Sequence, residues 1–309
     1  MFDKFGRPLR SIRISVTDDC NLNCFYCHRE GCVAGGRLMT AREIGALAEV
    51  AAEFGMRSVK LTGGEPLSRG DIADIVKRIA GVGVKEISMT TNGVLLAGLA
   101  KRLSDAGLSR VNISLDTLDP KIYAKLTGKP VLDKALEGVD AAIEAGLKPV
   151  KLNMVMLAGI NDGEVERMLK FASSHGTILQ LIELLPQGED QARYHYDLTR
   201  IEGEFQKRAT AVKVRSSLHA RKKYILPDGE VEIVKPMHNS QFCMHCTRLR
   251  LTSDGYLKPC LMRNDNLVDA LSPLRDGNLD GVRQAFVGAI GGREPYFRGT
   301  GPGGSNRGV

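Results

Sequence analysis

The sequence predicts an α/β protein: an incomplete (βα)6 barrel followed by a smaller α+β region. Three observations predict it. Over the first two-thirds of the 309 residues, β-rich apolar runs alternate with amphipathic helical stretches. Near residue 211 that rhythm breaks into short runs joined by tight turns. Six of the seven cysteines fall into two triplets, one near each end of the chain. The chain is therefore divided at 1–210 and 211–309.

The strands of the first part are residues 11–16, 58–61, 86–89, 110–115, 149–156 and 178–184. Between them, 41–54, 72–79, 95–106, 132–145 and 165–174 repeat apolar residues at helical spacing. Gly81, Gly107 and Gly146 follow three of these helices, where a left-handed residue ends a helix. Such alternation builds parallel strands with helical crossovers, and six units are too few to close an eight-stranded barrel. In the second part, 211–215, 222–226 and 230–234 read as short antiparallel strands, with Pro227-Asp228-Gly229 turning between the last two. Ser253-Asp254-Gly255 marks a further hairpin, and 267–271 and 279–290 read as helices. The glycine-rich end, 299–309, has too few apolar residues to pack by itself.

Length and composition exclude several classes. The chain is long enough to bury a core without a disulfide framework. At 43% hydrophobic and 26% charged it is neither disordered nor fibrous. No apolar run approaches the ~18 residues of a membrane span. The start, Met1-Phe2-Asp3-Lys4-Phe5-Gly6-Arg7, lacks an apolar signal core, so a cytoplasmic protein with no membrane partner is expected. Net charge is +7, from 43 basic and 36 acidic residues, interspersed, which suits an anionic small molecule about as well as nucleic acid. The absence of Trp and an aromatic content of 5% leave few base-stacking platforms, so nucleic acid is not an expected partner. Arg221-Lys222-Lys223 reads as a solvated strand or turn face.

The first triplet, Cys20-Asn21-Leu22-Asn23-Cys24-Phe25-Tyr26-Cys27, is C-x3-C-x2-C directly after the first strand. Three thiolates in one short loop wrap a face of an iron–sulfur cubane and leave one iron open; a closed zinc site takes four ligands. His28 and Cys32 could complete the shell, but read better as a polar neighbour and a loop cysteine. Gly63-Gly64-Glu65-Pro66 follows the second strand. Its glycines admit a close backbone approach, and Glu65 could accept from an ammonium. Thr90-Thr91-Asn92-Gly93, then Ser114 and Asp116, then Leu184 and Leu185, close the third, fourth and sixth strands. That is the end where barrel enzymes carry their chemistry, although each residue alone reads as a helix cap.

The second triplet, Cys243, Cys246 and Cys260, is C-x2-C-x13-C. Its spacing admits a zinc ribbon completed by His245 or His238, or a second [4Fe-4S] cluster with an open iron. Arg248 and Arg250, two apart on a strand, share one face, and their planar forks suit triphosphate oxygens.

The first triplet, with an aromatic before its last cysteine, resembles the motif of the radical S-adenosylmethionine (SAM) enzymes, and Gly63-Gly64-Glu65-Pro66 resembles their GGEP loop. With the second triplet and the arginine pair, the chain from Arg13 to about Leu261 resembles the GTP 3′,8-cyclase family of molybdenum cofactor biosynthesis. The resemblance implies two [4Fe-4S] clusters: one on Cys20, Cys24 and Cys27 with SAM on its open iron, one on Cys243, Cys246 and Cys260 with the guanine of GTP. It implies SAM contacts from Tyr26, Gly64, Glu65, Ser114 and Leu185. It implies GTP contacts from Arg13, Lys60, Thr91, Lys151, Thr247, Arg248 and Arg250. The reaction implied is conversion of GTP to 3′,8-cyclo-7,8-dihydro-GTP, with cyclic pyranopterin monophosphate synthase next in line. The resemblance names no electron donor and leaves monomer and homodimer open. Three departures stand out. The chain ends Arg307-Gly308-Val309 where the family usually ends Gly-Gly, Gln180 stands where arginine is common, and Leu185 where Met is usual. The competing readings are another radical SAM enzyme with an auxiliary cluster and a zinc-stabilised binding module.

Overall fold

The computed structural model describes residues 1–29, 38–215, 219–237 and 239–296; Cys32, His238 and the glycine-rich end lie outside them. Six strands pair side by side in chain order, all parallel: β1 (Ser11–Ser15), β2 (Ser58–Thr62), β3 (Glu86–Thr91), β4 (Arg110–Ser114), β5 (Lys151–Met156) and β6 (Ile178–Glu183). The crossovers carry α1 (Ala41–Glu53), α2 (Ile72–Gly81), α3 (Ala100–Asp105), α4 (Pro120–Thr127), α5 (Leu132–Glu144) and α6 (Val165–Ser174). Then come α7 (Glu189–Ala192), α8 (Thr199–Arg208) and the antiparallel strands β7 (Ala211–Arg215), β8 (Arg221–Leu226) and β9 (Gly229–Val234). The chain continues through α9 (Ser240–Met244), β10 (Arg248–Leu251), β11 (Tyr256–Lys258), β12 (Val268–Asp269), α10 (Leu271–Arg275) and α11 (Leu279–Gly291).

Residues after 210 build no separate sheet. β9 joins β6 and β10 joins β1, both in parallel, so one twelve-stranded sheet runs β12-β11-β10-β1-β2-β3-β4-β5-β6-β9-β8-β7. The parallel run thus has eight strands where chain order suggested six, with antiparallel hairpins at its two ends.

Local corrections follow from side chains. The helix expected at 95–106 is helical only at Ala100–Asp105, and the one expected at 267–271 is β12 followed by α10. Gly81 lies inside α2, and Gly83 takes the left-handed φ of 78° instead; Gly107 and Gly146 are left-handed as expected. The unanticipated α4 had its signals in place. Asp119 caps Lys121 and Ile122, Pro120 opens the helix and left-handed Gly128 ends it.

The strands alternate sharply. Ile12, Ile14, Val59, Leu61, Val111, Ile113, Leu152 and Met154 have no exposure. Side chains alternate across a strand, so this set packs outward under the helices, each worth about 1.5–3 kcal/mol of apolar burial. The opposite parity is polar: Arg13, Lys60, Ser88, Arg110, Asn112, Lys151, Asn153, Gln180, Arg248 and Arg250. A parallel sheet is usually apolar on both faces. Here the inner face is polar and largely cationic.

Candidate active site between two cysteine triplets

The first thiol loop leaves the C-terminal end of β1 and lies on the end of α4, where Asn23 and Phe25 N–H groups donate to the Thr127 and Leu126 carbonyls at 2.9 and 3.3 Å. Tyr26 hydroxyl donates to Asp116 just beyond β4, and Asp116 also accepts from Val155 N–H at 2.8 Å. Burial lifts the Asp116 carboxyl to about 6 against both bonds. Cys24 is pushed up to about 12, first by burial, then by Asp116 and by the Cys27 and Cys20 thiols. The three sulfurs therefore sense one another's charge. Among the described residues no three His, Cys, Asp or Glu close around a single ion. Leu22 N–H donates to Cys20 Sγ at 3.5 Å and Arg29 N–H to Cys27 Sγ at 3.3 Å, so the donor set fits thiolate ligands whose charge the backbone helps carry.

The Gly63–Gly64 turn is stitched to the segment entering that loop. Gly64 and Glu65 N–H groups donate to Thr17 and Asp19 carbonyls at 2.8 and 2.7 Å. A Cβ would lie 2.3 Å from Thr17 O at Gly63 and 2.1 Å from Asp19 O at Gly64, so only glycine allows the approach. Two expectations are corrected here. Glu65 is 1% exposed, and its carboxylate accepts from Leu67 N–H at 3.0 Å, Thr91 hydroxyl at 2.7 Å and Asn92 N–H at 2.7 Å. It ties the ends of β2 and β3 together and is not presented to a ligand ammonium. Thr91 faces Glu65 rather than the interior; Thr90, of the opposite parity and half-buried, is the threonine level with Asn112. Ser114 faces the interior level with Asn153, and half-buried Leu185 follows β6.

Below this loop lies the cationic interior. Register sets Arg13 between Arg250 and Lys60. Lys60 Nζ donates to Asn112 Oδ1 at 3.1 Å, Asn112 Nδ2 to Asn153 Oδ1 at 3.1 Å, and Gln180 Nε2 to the same oxygen at 2.9 Å. Lys151 pairs with Glu232, which also takes Arg215 at 3.2 Å and lies 3.7 Å from Arg221. Glu86 holds Arg110 at 2.9 and 2.8 Å. Among the described residues, Glu86 and Glu232 thus answer only part of a cation set that includes Arg13, Lys60, Arg110, Lys151, Arg215, Arg221, Arg248 and Arg250. The crowding shows in protonation. Burial, then Arg110, Arg13, Arg248 and Lys151, holds Lys60 well below its ordinary value. Burial, then Arg13, Arg250 and Arg221, does the same to Arg248. Lys151 is lowered to about 8 by burial, which Glu232 opposes. A bound polyanion would relieve this excess.

Arg110, Arg215, Arg221 and Glu232 were not anticipated. Their signal was strand parity, since Arg221 is 16% exposed and Lys222 49%, so Arg221 turns inward from the run read as solvated. His219 was also missed. It is buried, stacks on Phe242 at 4.1 Å, and is held well below its ordinary value by burial and then Arg248, Arg221, Arg250 and Arg13.

The second triplet lies at the other end of the barrel. Cys243 lies in the last turn of α9, and Cys246 stands two residues before β10, whose Arg248 is level with Ser11 at the start of β1. Antiparallel β11 pairs Lys258 with Arg250, and half-buried Cys260 follows two residues after that strand ends. Cys246 Sγ approaches the Arg248 carbonyl at 3.9 Å. His245 Nδ1 is bonded to Gln241 carbonyl at 2.9 Å. Buried Thr247 lines a cleft of about 320 Å³ with Phe5, Arg7, Arg10 and Met244. Its carbonyl accepts from Arg10 and Ser11 N–H at 3.0 and 3.2 Å, docking the thiol loop on β1.

Sheet, thiol loop and glycine turn define a radical SAM enzyme. The model of the Radical SAM superfamily matches residues 14–172, and that of Molybdenum Cofactor Synthesis C matches 177–298. The fold is similar to Streptococcus suis SuiB bound to S-adenosylmethionine, with TM-score 0.66 at 17% identity over 86% of this chain and 64% of that one. It is also similar to anSMEcpe with bound AdoMet, with TM-score 0.62 at 16% identity over 90% and 82%. Among curated relatives, the probable GTP 3′,8-cyclase of Methanocaldococcus jannaschii is 48% identical over 96% of this chain and 99% of its own length. That of Pyrococcus abyssi is 49% identical over 96% and 99%. The chain belongs to the GTP 3′,8-cyclase family of the radical SAM superfamily.

Proposed function

We propose that the chain converts GTP to 3′,8-cyclo-7,8-dihydro-GTP, the first step of molybdenum cofactor biosynthesis. One arrangement supports the proposal: Cys20, Cys24 and Cys27 follow the C-terminal end of β1, Cys243 and Cys246 lie toward its N-terminal end, and the cation-rich interior runs between them. The strand between them, Ser11 to Ser15, spans roughly 13 Å at about 3.3 Å per residue, the scale of a nucleotide. When bound, two [4Fe-4S] clusters and SAM would supply a 5′-deoxyadenosyl radical able to take the ribose H3′ and relay two electrons from an external donor, one to cleave SAM and one that, with a proton, quenches the nucleotide radical after the C3′–C8 bond forms.

The chain's residues do the rest. Cys20, Cys24 and Cys27 hold the first cluster, with Tyr26 fixed by Asp116 and the Gly63–Gly64 turn forming the SAM end. Ser114 and the Leu185 backbone border the same mouth. Cys243, Cys246 and Cys260 hold the second cluster at the guanine end. Arg13, Lys60, Lys151, Arg248 and Arg250 bind the triphosphate, and Arg215 and Arg221 add to that field. The Asn112–Asn153–Gln180 ladder fixes Lys60. Thr91 and Thr247 act by holding neighbouring backbone, not by touching nucleotide. The product is an isomer of GTP and passes to a cyclic pyranopterin monophosphate synthase. Thiols that hold iron–sulfur clusters need a reducing compartment, so we place the enzyme in the cytoplasm.

The test is anaerobic incubation of the iron-loaded protein with GTP, SAM and dithionite, read by mass spectrometry. A new GTP isomer formed with 5′-deoxyadenosine is expected. Deoxyadenosine without a GTP-derived product would refute the substrate.

A further inference from the structure

The second thiol triplet leans on both extremities of the described chain. Residues 2–8 form a hairpin in which Phe2 bridges Pro8 and Gly6 takes a left-handed φ of 73°. At its root is Asp3, 7% exposed. Asp3 Oδ1 accepts from Phe5 and Arg7 N–H at 3.0 and 2.9 Å, and Oδ2 from Arg7 Nε at 2.7 Å. Arg7 then reaches across. Its Nη1 donates to the Cys243 carbonyl at 3.0 Å and the Pro295 carbonyl at 3.1 Å, and its Nη2 to the Glu294 carbonyl at 2.7 Å. Arg293, 2% exposed, completes the set from the C-terminal side: Nη2 donates to the Cys246 carbonyl at 2.6 Å, and Nη1 lies 2.9 Å from Asp3 Oδ2.

Two of the three thiol-bearing residues are therefore held by buried guanidinium groups that share one carboxylate. Packing alone does not call for this, because burying a charge costs several kcal/mol and an amide could hold a carbonyl more cheaply. Two cations against one anion leave a net charge of +1 beside the thiols.

We propose that Asp3, Arg7 and Arg293 form a clamp that fixes the Cys243–Cys246 loop and, through its net positive charge, favours the reduced state of the cluster bound there. The proposal rests on the reading of the second triplet as a [4Fe-4S] site. Reduction adds an electron, which a nearby fixed cation stabilises; charge and hydrogen bonds at the sulfurs are the usual levers on such potentials. The three residues are positioning residues, since none faces the cationic interior.

The test is an EPR-monitored redox titration of the full chain with Cys20, Cys24 and Cys27 replaced by alanine, so that only the second cluster reports. Arg293→Gln removes a cation and is expected to lower the midpoint potential. Asp3→Asn removes the anion and is expected to raise it. Each should change the reduced-to-oxidised ratio at fixed potential about tenfold, equivalent to about 59 mV for a one-electron couple. Arg293→Lys keeps the charge and should keep most of the potential. Shifts of the same sign in Arg293→Gln and Asp3→Asn, or no shift with iron and sulfide content unchanged, overturn the clamp. So does an Arg293→Lys variant that loses as much potential as Arg293→Gln. Zinc in place of iron in the parent chain would instead overturn the reading of the site itself.

Discussion

Glu232→Gln is the substitution that separates an architectural cation cluster from a triphosphate site. Glu232 has no solvent exposure and is the carboxylate against which Lys151, Arg215 and Arg221 are held. Lys151 is 5% exposed and Arg221 16%, so water cannot take over the pairing; Arg215 at 36% contributes less. Removing one partner of a buried ion pair costs about 3–5 kcal/mol, because the remaining charge stays buried. At about 2–4 °C per kcal/mol, thermal unfolding without nucleotide should fall by roughly 10 °C. GTP supplies anionic oxygens where the carboxylate was lost, so it should stabilise the variant more than the parent. We expect about tenfold tighter GTP binding, or about 1.4 kcal/mol. Unfolding curves with and without GTP, together with equilibrium dialysis, read both quantities. Equal GTP-induced shifts in parent and variant would sink the idea that Glu232 and the triphosphate address the same cations.

Three further outcomes follow from the same geometry. Lys151, lowered to about 8, is charged below that pH and neutral above it. An anion favours the charged form, so GTP affinity should decline as pH rises through about 8 with uptake of a proton on binding, and Lys151→Arg should flatten the profile across that range. In Gly64→Ala the new Cβ meets the Asp19 backbone, not a movable side chain. The turn must shift at a cost of about 1–3 kcal/mol, and SAM affinity measured by dialysis should fall while GTP affinity holds. Arg248→Ala should weaken GTP binding at least tenfold and leave SAM binding within about twofold; equal losses would remove Arg248 from the triphosphate site.

Much of this was legible in the sequence because it is local. The six strands in chain order, both thiol triplets and the Pro227-Asp228-Gly229 and Ser253-Asp254-Gly255 turns each announce themselves within a few residues. What escaped is non-local. Nothing within β10 says that it will lie against β1, more than 230 residues earlier, yet that pairing sets Arg250 beside Arg13. Strand parity did carry Arg221 inward, but only once the strand's start at Arg221 was fixed. Glu65 and Thr91 show another limit. A motif says which residue types assemble, whereas the bonds among Glu65, Thr91 and Asn92 show that two of them are spent on each other. The Asp3–Arg7–Arg293 contacts join the two extremities of the chain, which no sequence window spans.

The pairing of β1 with β10 also works as a ruler. The span between the two thiol sites is written in backbone, in a count of residues, and side-chain replacement cannot alter it. Substitution can retune how strongly the interior holds its ligand. Changing the length of molecule that fits would need residues inserted in pairs in both strands at once, because a single insertion turns Arg13 under the helices and Ile14 into the cavity. Lineages diverging from this chain are therefore free to drift in affinity but locked in reach.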